Sequence, residues 1–286
     1  MSETYVLVTA ARDEQEHIEK TIKSVIAQTT LPKKWVIVSD GSADRTDIIA
    51  KRYQANHDFI QFLRREPDGS RNFASQLYAF LAGVQLLHGI EYDFIGKLDA
   101  DVSFEPDYYG RLLAKFREIP ELGIAGGDIR ELYGGVYKRR FGNAPGEVPG
   151  GIQLLRRQCY HDIGGYVPLQ KGGHDTLAGL MARMKGWRVR SFPDIPVLHH
   201  RLSVTTGFQH GMIEYSFGYH PLFEMAKCIS RIREKPYLIR SLSRLGGYCW
   251  SFLRREQRVL PTDAVNYLRA EQLTRLKTIC KLKKPI

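Results

Sequence analysis

Tyr92-Asp93-Phe94-Ile95-Gly96-Lys97-Leu98-Asp99-Ala100-Asp101 begins apolar and aromatic and ends in two carboxylates one residue apart. As a buried strand it would send Asp99 and Asp101 out on the same side where it runs out, because strand side chains alternate faces. In an open α/β sheet the carboxyl ends of the strands are where ligands bind. Two adjacent carboxylates repel unless a cation lies between them, and a hard divalent ion, Mg²⁺ or Mn²⁺, suits oxygen ligands. Asp is also a common strand terminator in surface turns. The rest of the chain decides between these readings.

Upstream, Tyr5 to Ala10 is a β-branched run that reads as the first strand. Asp13 and Glu16 have capping-box spacing, and Ile18, Ile22, Val25 and Ile26 then repeat at helical intervals to about Gln28. Trp35 to Ser39 is a second strand, closed by Asp40-Gly41-Ser42-Ala43-Asp44, and Phe59 to Leu63 a third. A helix carrying Phe73, Leu77, Leu81 and Val84 leads into the central stretch. Strands alternating with helices over short connections predict a parallel, doubly wound sheet. Downstream, Asp107 to Arg117 suits a helix and Gly123 to Gly127 a strand. Glu131 to Gly151 is rich in Gly and Pro and reads as a long loop, of the kind that is usually functional or mobile. Asp175 opens a helix closed by Gly186, followed by a strand over Trp187–Phe192 and, after two prolines, by the stretch Val197–Arg201.

With 286 residues, 43% hydrophobic and 26% charged, the chain can bury a sizeable core and is composed like a globular protein. Its four cysteines, Cys159, Cys228, Cys249 and Cys280, match no zinc or redox spacing and read as reduced thiols in a cytosolic protein. Met1-Ser2-Glu3-Thr4 lacks a basic n-region, so no signal peptide is expected, and no uncharged apolar run is long enough to span a bilayer. From Tyr215 onward there are fifteen Lys and Arg against five Asp and Glu, which holds nearly all of the +11 net charge. Such asymmetry points to an anionic partner. Nucleic acid is disfavoured because no recognised nucleic-acid motif accompanies the charge. A dinucleotide oxidoreductase is disfavoured because Thr9-Ala10-Ala11-Arg12 offers no Gly-rich phosphate turn.

The Thr9 strand end with Glu14 behind it, Asp40-Gly41-Ser42, Asp99-Ala100-Asp101, Gly164-Gly165, Asp175 and His199-His200-Arg201 follow one another in an order that resembles glycosyltransferase family 2. The resemblance covers about residues 4–205 and implies the GT-A fold, a Rossmann-like, mostly parallel sheet flanked by helices. It implies an inverting glycosyltransferase with a nucleotide-sugar donor (a UDP- or GDP-sugar), a saccharide or lipid-linked acceptor and Mg²⁺ or Mn²⁺. Thr9, Ala10, Arg12 and Glu14 would lie near base and ribose. Asp40 would accept a hydrogen bond from the base, and Arg71 would contact base or phosphate. Asp99 and Ala100 would approach ribose or metal, Asp101 would ligate the metal, and Asp175 would be the general base. His200 is a candidate third ligand, with a buried, hydrogen-bonded histidine as the ordinary alternative. Asp40 and Asp175 also suit helix capping, and Arg71 a solvated surface. The chain departs from the family where Asp13-Glu14 replaces Asn-Glu and His174-Asp175 replaces Glu-Asp. The Gln-x-x-Arg-Trp motif of processive synthases is absent, which argues for one sugar per encounter.

The chain thus divides into a catalytic domain, 1–205, and a basic, aromatic-rich helical extension, 206–286. In the extension, Tyr237 to Leu245 interleaves apolar residues with arginine, and Trp250, Phe252 and Arg254-Arg255 follow. This pattern fits peripheral contact with an anionic membrane, on its cytoplasmic face, or packing of an amphipathic helix on the catalytic domain. A polyprenyl-phosphate sugar synthase and a non-catalytic nucleotide-binding or membrane scaffold remain as alternative functions.

Overall fold

A computed structural model describes residues 3–66, 73–133, 135–139, 146–201, 206–232 and 238–282. The chain forms two compact units, Met1–Leu202 and Ser203–Ile286.

In the first unit β1 (Tyr5–Ala11) lies between β2 (Lys34–Asp40) and β4 (Phe94–Leu98), and β3 (Ile60–Arg65) lies outside β2, all in parallel register. Tyr5, Val6, Leu7 and Val8 have no exposed surface. That is why β1 reads as a continuous apolar run: a parallel strand is covered on both faces. The crossovers are α1 (Ile18–Ile26), α2 (Thr46–Gln54) and α3 (Phe73–Gln85). The α/β class and the parallel order hold for these four strands, and their carboxyl ends share one edge.

Beyond Asp101 the sheet becomes mixed. β5 (Val102–Phe104) and α4 (Tyr108–Glu118) precede β6 (Leu122–Tyr133), β7 (Val136–Arg139) and β8 (Ile152–Arg156). After α5 (Arg157–Asp162) and α6 (His174–Met184) comes β9 (Arg188–His199). The order is β3-β2-β1-β4-β8-β6-β9-β5, with β7 on β6. β8 runs antiparallel to both β4 and β6, while β6 and β9 are parallel.

Three local expectations are corrected. The loop expected over Glu131–Gly151 begins as a hairpin, with Glu131 paired to Lys138. The strand expected over Trp187–Phe192 runs on through both prolines to His199, interrupted where the register jumps from Ser191 to Pro196, the irregularity that strand prolines require. The capping box at Asp13 does not form: α1 starts only at Ile18, Asp13 sits at φ 56, and its carboxylate accepts the Ala43 N–H at 2.9 Å.

The second unit is helical: α7 (Gly207–Ser216), α8 (Pro221–Ser230), α9 (Ile239–Leu253) and α10 (Thr262–Leu282). Among the described residues no helix is long and apolar enough to cross a membrane.

Candidate active site

The carboxyl ends of β1, β2 and β4 open into a cleft of about 360 Å³. Ala10, Ala11, Arg12 and Glu14 line it from the turn after β1, and Asp40 from the end of β2. Asp99, Ala100 and Asp101 line it from the end of β4, Ser75 and Gln76 from α3, and Arg201 from beyond β9. Seven of the residues expected at a nucleotide and metal site therefore meet in one place, as the parallel strand order dictates. Among the described residues Thr9 does not join them, nor does His200. Thr9 is fully buried, its hydroxyl accepting the Trp35 indole N–H at 3.0 Å, because alternation turns it away from the edge. Arg71 lies outside the described residues.

Asp40 is buried between two guanidiniums, Arg65 Nη1 at 3.2 Å from Oδ1 and Arg12 Nη1 at 3.8 Å from Oδ2. Neither Asp40 Oδ1 nor Arg12 Nη1 has a hydrogen-bond partner among the described residues, although both are buried. Buried polar atoms left in that state at a cleft wall are suited to a polar ligand. Asp44, two residues before α2, ties the helix start to the β1 turn: its Oδ1 accepts the Thr46 N–H at 2.9 Å and its Oδ2 the Gln15 N–H.

Asp101 is held by charge. Its Oδ2 lies 3.4 Å from His199 Nε2 and 3.8 Å from Arg201 Nε, while Arg201 Nη2 donates to Glu14 Oε2 at 2.5 Å. Burial works to raise the Asp101 carboxyl, but the His199 hydrogen bond and the charges of His199 and Arg201 outweigh it and hold it low. His199 is the mirror case: burial opposes its charge, yet its close pairing with the carboxylates of Asp101 and Glu131 raises it to about 9. Glu131 Oε1 stands 3.5 Å from the other ring nitrogen, Nδ1, and so orients the imidazole from behind.

The histidine expected at this point was His200, and the structure gives the contact to His199 instead. β9 register decides it: His199 is paired with Glu131 on β6 and with Val102 on β5. His200 follows on the other side of the chain, with Nε2 2.8 Å from Ser103 Oγ and Nδ1 3.2 Å from Tyr137 Oη. Burial, with the charges of Lys20 and His17, lowers it to about 4, so it is a neutral, structural ring.

Among the described residues no three His, Cys, Asp or Glu side chains converge as a ready-made metal cage. Asp99 and Asp101 still face one cleft, and one or two carboxylates shared with substrate phosphates is how Mg²⁺-like ions are commonly bound. The donor set fits such an ion.

Asp175 is the second residue of α6, not its cap. The cap position is Gly173, in the left-handed region, and the Asp175 carboxylate accepts the Gly150 N–H at 3.1 Å. The next residue connects to Asp99, whose N–H donates to Gly151 O at 2.9 Å. Lys97, 4% exposed, spans the same turn: its ammonium donates to Asp99 Oδ1 at 3.3 Å and to Gly150 O at 3.2 Å. Gln76 also donates to Asp99 Oδ1, at 3.0 Å. Both glycines are required by close approach. A Cβ on Gly151 would lie 2.1 Å from Asp99 Oδ2, and one on Gly150 would lie 2.8 Å from Asp175 Cβ. Sequence reading missed Lys97, Gln76, Arg201 and this Gly-Gly spacer. The adjacent glycines just before β8 were the only signal for the spacer.

A family model described as Glycosyl transferase family 2 matches residues 6–176. The poly-beta-1,6-N-acetyl-D-glucosamine synthase of Staphylococcus aureus (strain COL) is 30% identical over 202 residues, 64% of this chain and 47% of that protein. The chain thus spans about half the length of the curated relatives it matches. Among solved structures, mannosyltransferase PcManGT from Pyrobaculum calidifontis, in complex with GDP-Man and Mn²⁺, superposes with TM-score 0.56 at 14% identity. That match covers 100% of this chain and 82% of the other. S. aureus TarS 1–349 in complex with UDP-GlcNAc gives 0.54 at 13% identity, over 93% and 78%. At these identities the likeness shows the fold.

Proposed function

The chain belongs to glycosyltransferase family 2, and from that premise we propose that it transfers a single sugar, with inversion, from a nucleoside-diphosphate sugar to a saccharide or lipid-linked acceptor. The product would be a cell-surface polysaccharide or glycolipid. The observation that carries this reading is one cleft with Arg12, Glu14 and Asp40 on one side and Asp99 and Asp101 on the other. Asp175 is tied to Asp99 through a single dipeptide. Structural neighbours in complex with UDP-GlcNAc and GDP-Man support the donor class.

In this reading Asp40, steadied by Arg12 and Arg65, accepts a hydrogen bond from the base, and Arg12 and Arg201 give the cleft a positive wall for the diphosphate. Asp99 and Asp101 would hold a divalent cation together with the donor's phosphates, and it would neutralise the departing diphosphate as a Lewis acid when bound. The acceptor oxygen bonds to the anomeric carbon as the bond from that carbon to the diphosphate oxygen breaks. The acceptor's proton passes to the Asp175 carboxylate, and the electron pair leaves with the nucleoside diphosphate. One displacement inverts the anomeric centre, and general-base help of this kind contributes about 10²–10⁴-fold. Absence of Gln-x-x-Arg-Trp favours one transfer per encounter.

Thermal melting with UDP, GDP, CMP and NAD, each with Mn²⁺ or EDTA, tests it. A nucleoside diphosphate at about 100 times its Kd should add roughly 2.7 kcal/mol, only with metal, and Asp101→Ala should lose the shift. Asp175→Asn should keep the shift and lose turnover about 10²–10⁴-fold. No shift with any nucleoside diphosphate, or full turnover in Asp175→Asn, overturns the reading.

A further inference from the structure

Helix α9 is inside out. Ser241, Arg244, Gly247, Tyr248 and Ser251 are buried, whereas Ile239, Leu242, Cys249, Trp250 and Leu253 are exposed, Leu253 at 76%. At 100° per residue the exposed set forms one stripe along the helix and the buried set the opposite stripe. An amphipathic helix on a globular unit ordinarily turns its apolar stripe inward.

Two devices lock α9 in this orientation. Arg244 donates to both oxygens of the buried Glu214 on α7, at 2.7 and 2.5 Å, and its Nε lies 3.5 Å from Glu224 on α8. Lys227 closes the cluster with a 2.7 Å bond to Glu214. The helix backbones also cross in contact through glycines: a Cβ on Gly211 would lie 1.9 Å from Arg244 O, and one on Gly247 would lie 2.0 Å from Phe208 O. A half-turn of α9 would bury the apolar stripe, but it would also strand the charges and jam the backbones. The outward apolar face is therefore built in.

α8 packs beside α9 and shows Leu222, Met225 and Ile229 at i, i+3 and i+7. The only carboxylate on either helix is Glu224, which is fully buried. Arg254, Arg255 and Arg258 follow α9 exposed, with the half-exposed Glu256 among them, and the Arg254 guanidinium lies 4.6 Å from the Trp250 ring centroid. Among the described residues this surface is dominated by apolar and cationic groups, with tryptophan at its rim, and so complements an anionic lipid headgroup layer over acyl chains. The same face of a second copy offers the same chemistry and, on α8 and α9, no exposed carboxylate for the arginines.

We propose that the exposed stripes of α8 and α9, with Trp250, Arg254 and Arg255, form a docking face for an anionic lipid bilayer. The test is flotation of the full chain with vesicles of phosphatidylcholine, with and without phosphatidylglycerol. Binding should require the anionic lipid and weaken as salt rises. Trp250→Glu and Leu253→Glu should each weaken it about tenfold or more. Arg254→Gln and Arg255→Gln should weaken it about fivefold each. Ile48→Glu, an exposed apolar position on α2, should change nothing. Leu242→Glu, on the same stripe, replaces any of these that melts early. No flotation with anionic vesicles overturns the proposal, as does equal loss in Ile48→Glu. A dimer that Trp250→Glu breaks, without flotation, assigns the face to a second copy instead.

Discussion

Gly151 separates Asp99, the proposed donor-site carboxylate, from the proposed base by the smallest unit the chain possesses. Asp99 cannot retreat from an added Cβ at 2.1 Å, because Lys97 and Gln76 hold its Oδ1. Gly151→Ala should therefore displace Asp99 and cost about 10²-fold in kcat/KM, the scale expected for an ångström of misplacement. The melting temperature should fall by only a few degrees, and a variant with full kcat/KM would show that the contact is slack. At this scale the sequence told which carboxylates meet in the cleft, since Asp40, Asp99 and Asp101 are strand-end residues whose place follows from the strands alone. It did not tell which of His199 and His200 meets Asp101. That depends on the pairing of β9 with β5 and β6, and a one-residue change of register swaps the two rings. Lys97 was equally hidden, because a lysine inside a strand reads as an interruption until its carboxylate partner is located.

Among the elements, α7 and α9 yield the sharpest contrast. Gly246 and Gly247 are neighbours, yet a Cβ on Gly246 would meet its nearest atom at 4.0 Å, while one on Gly247 would run into Phe208 backbone. Gly246→Ala should stabilise the second unit by up to about 1 kcal/mol through helix propensity. Gly247→Ala should destabilise it by about 1–3 kcal/mol or more through overpacking, and urea unfolding measures both. The buried cluster gives a pH signature. Burial, then the charge of Glu214, raises Glu224 to about 8 despite the nearby Lys227 and Arg244. The contribution of neutral Glu224 is complete below about pH 4.3, where an unfolded glutamate is still protonated, and is lost as pH rises through about 8. Glu224→Gln should therefore match the parent near pH 5 and exceed its stability near pH 9, by on the order of 1–3 kcal/mol. Glu214 has the opposite sign. Burial would raise it, but Lys227 and Arg244 hold it low, so Glu214→Gln should cost about 3–5 kcal/mol at neutral pH by stranding Arg244. Periodicity made α9 legible as amphipathic, but only the partners of Arg244 say which face turns inward. The hairpin β6–β7 was missed for a related reason: its strands are specified by each other, not by composition.

For the whole molecule, the α/β class and family were legible because the motifs fall at successive strand ends, a pattern that survives errors in any one element. The mixed half of the sheet was not, since β8 and β9 gain their places only by pairing with strands distant in sequence. The two units then carry chemistries that can be separated. The proposed donor cleft is built wholly from residues of Met1–Leu202, and the proposed lipid face wholly from residues of Ser203–Ile286. Nucleotide binding draws on carboxylates and guanidiniums set at strand ends, and bilayer docking on apolar area and surface charge, so neither group of residues serves the other. Asp101→Ala should lose the metal-dependent nucleotide shift, worth roughly 2.7 kcal/mol at about 100 Kd, and still float with anionic vesicles. Trp250→Glu should do the reverse, losing the vesicles and keeping the shift. If either single change abolished both properties while the chain stayed folded, the two activities would have to share one site. The lipid would then be acting at the cleft as an acceptor, not as a surface on which the enzyme rests.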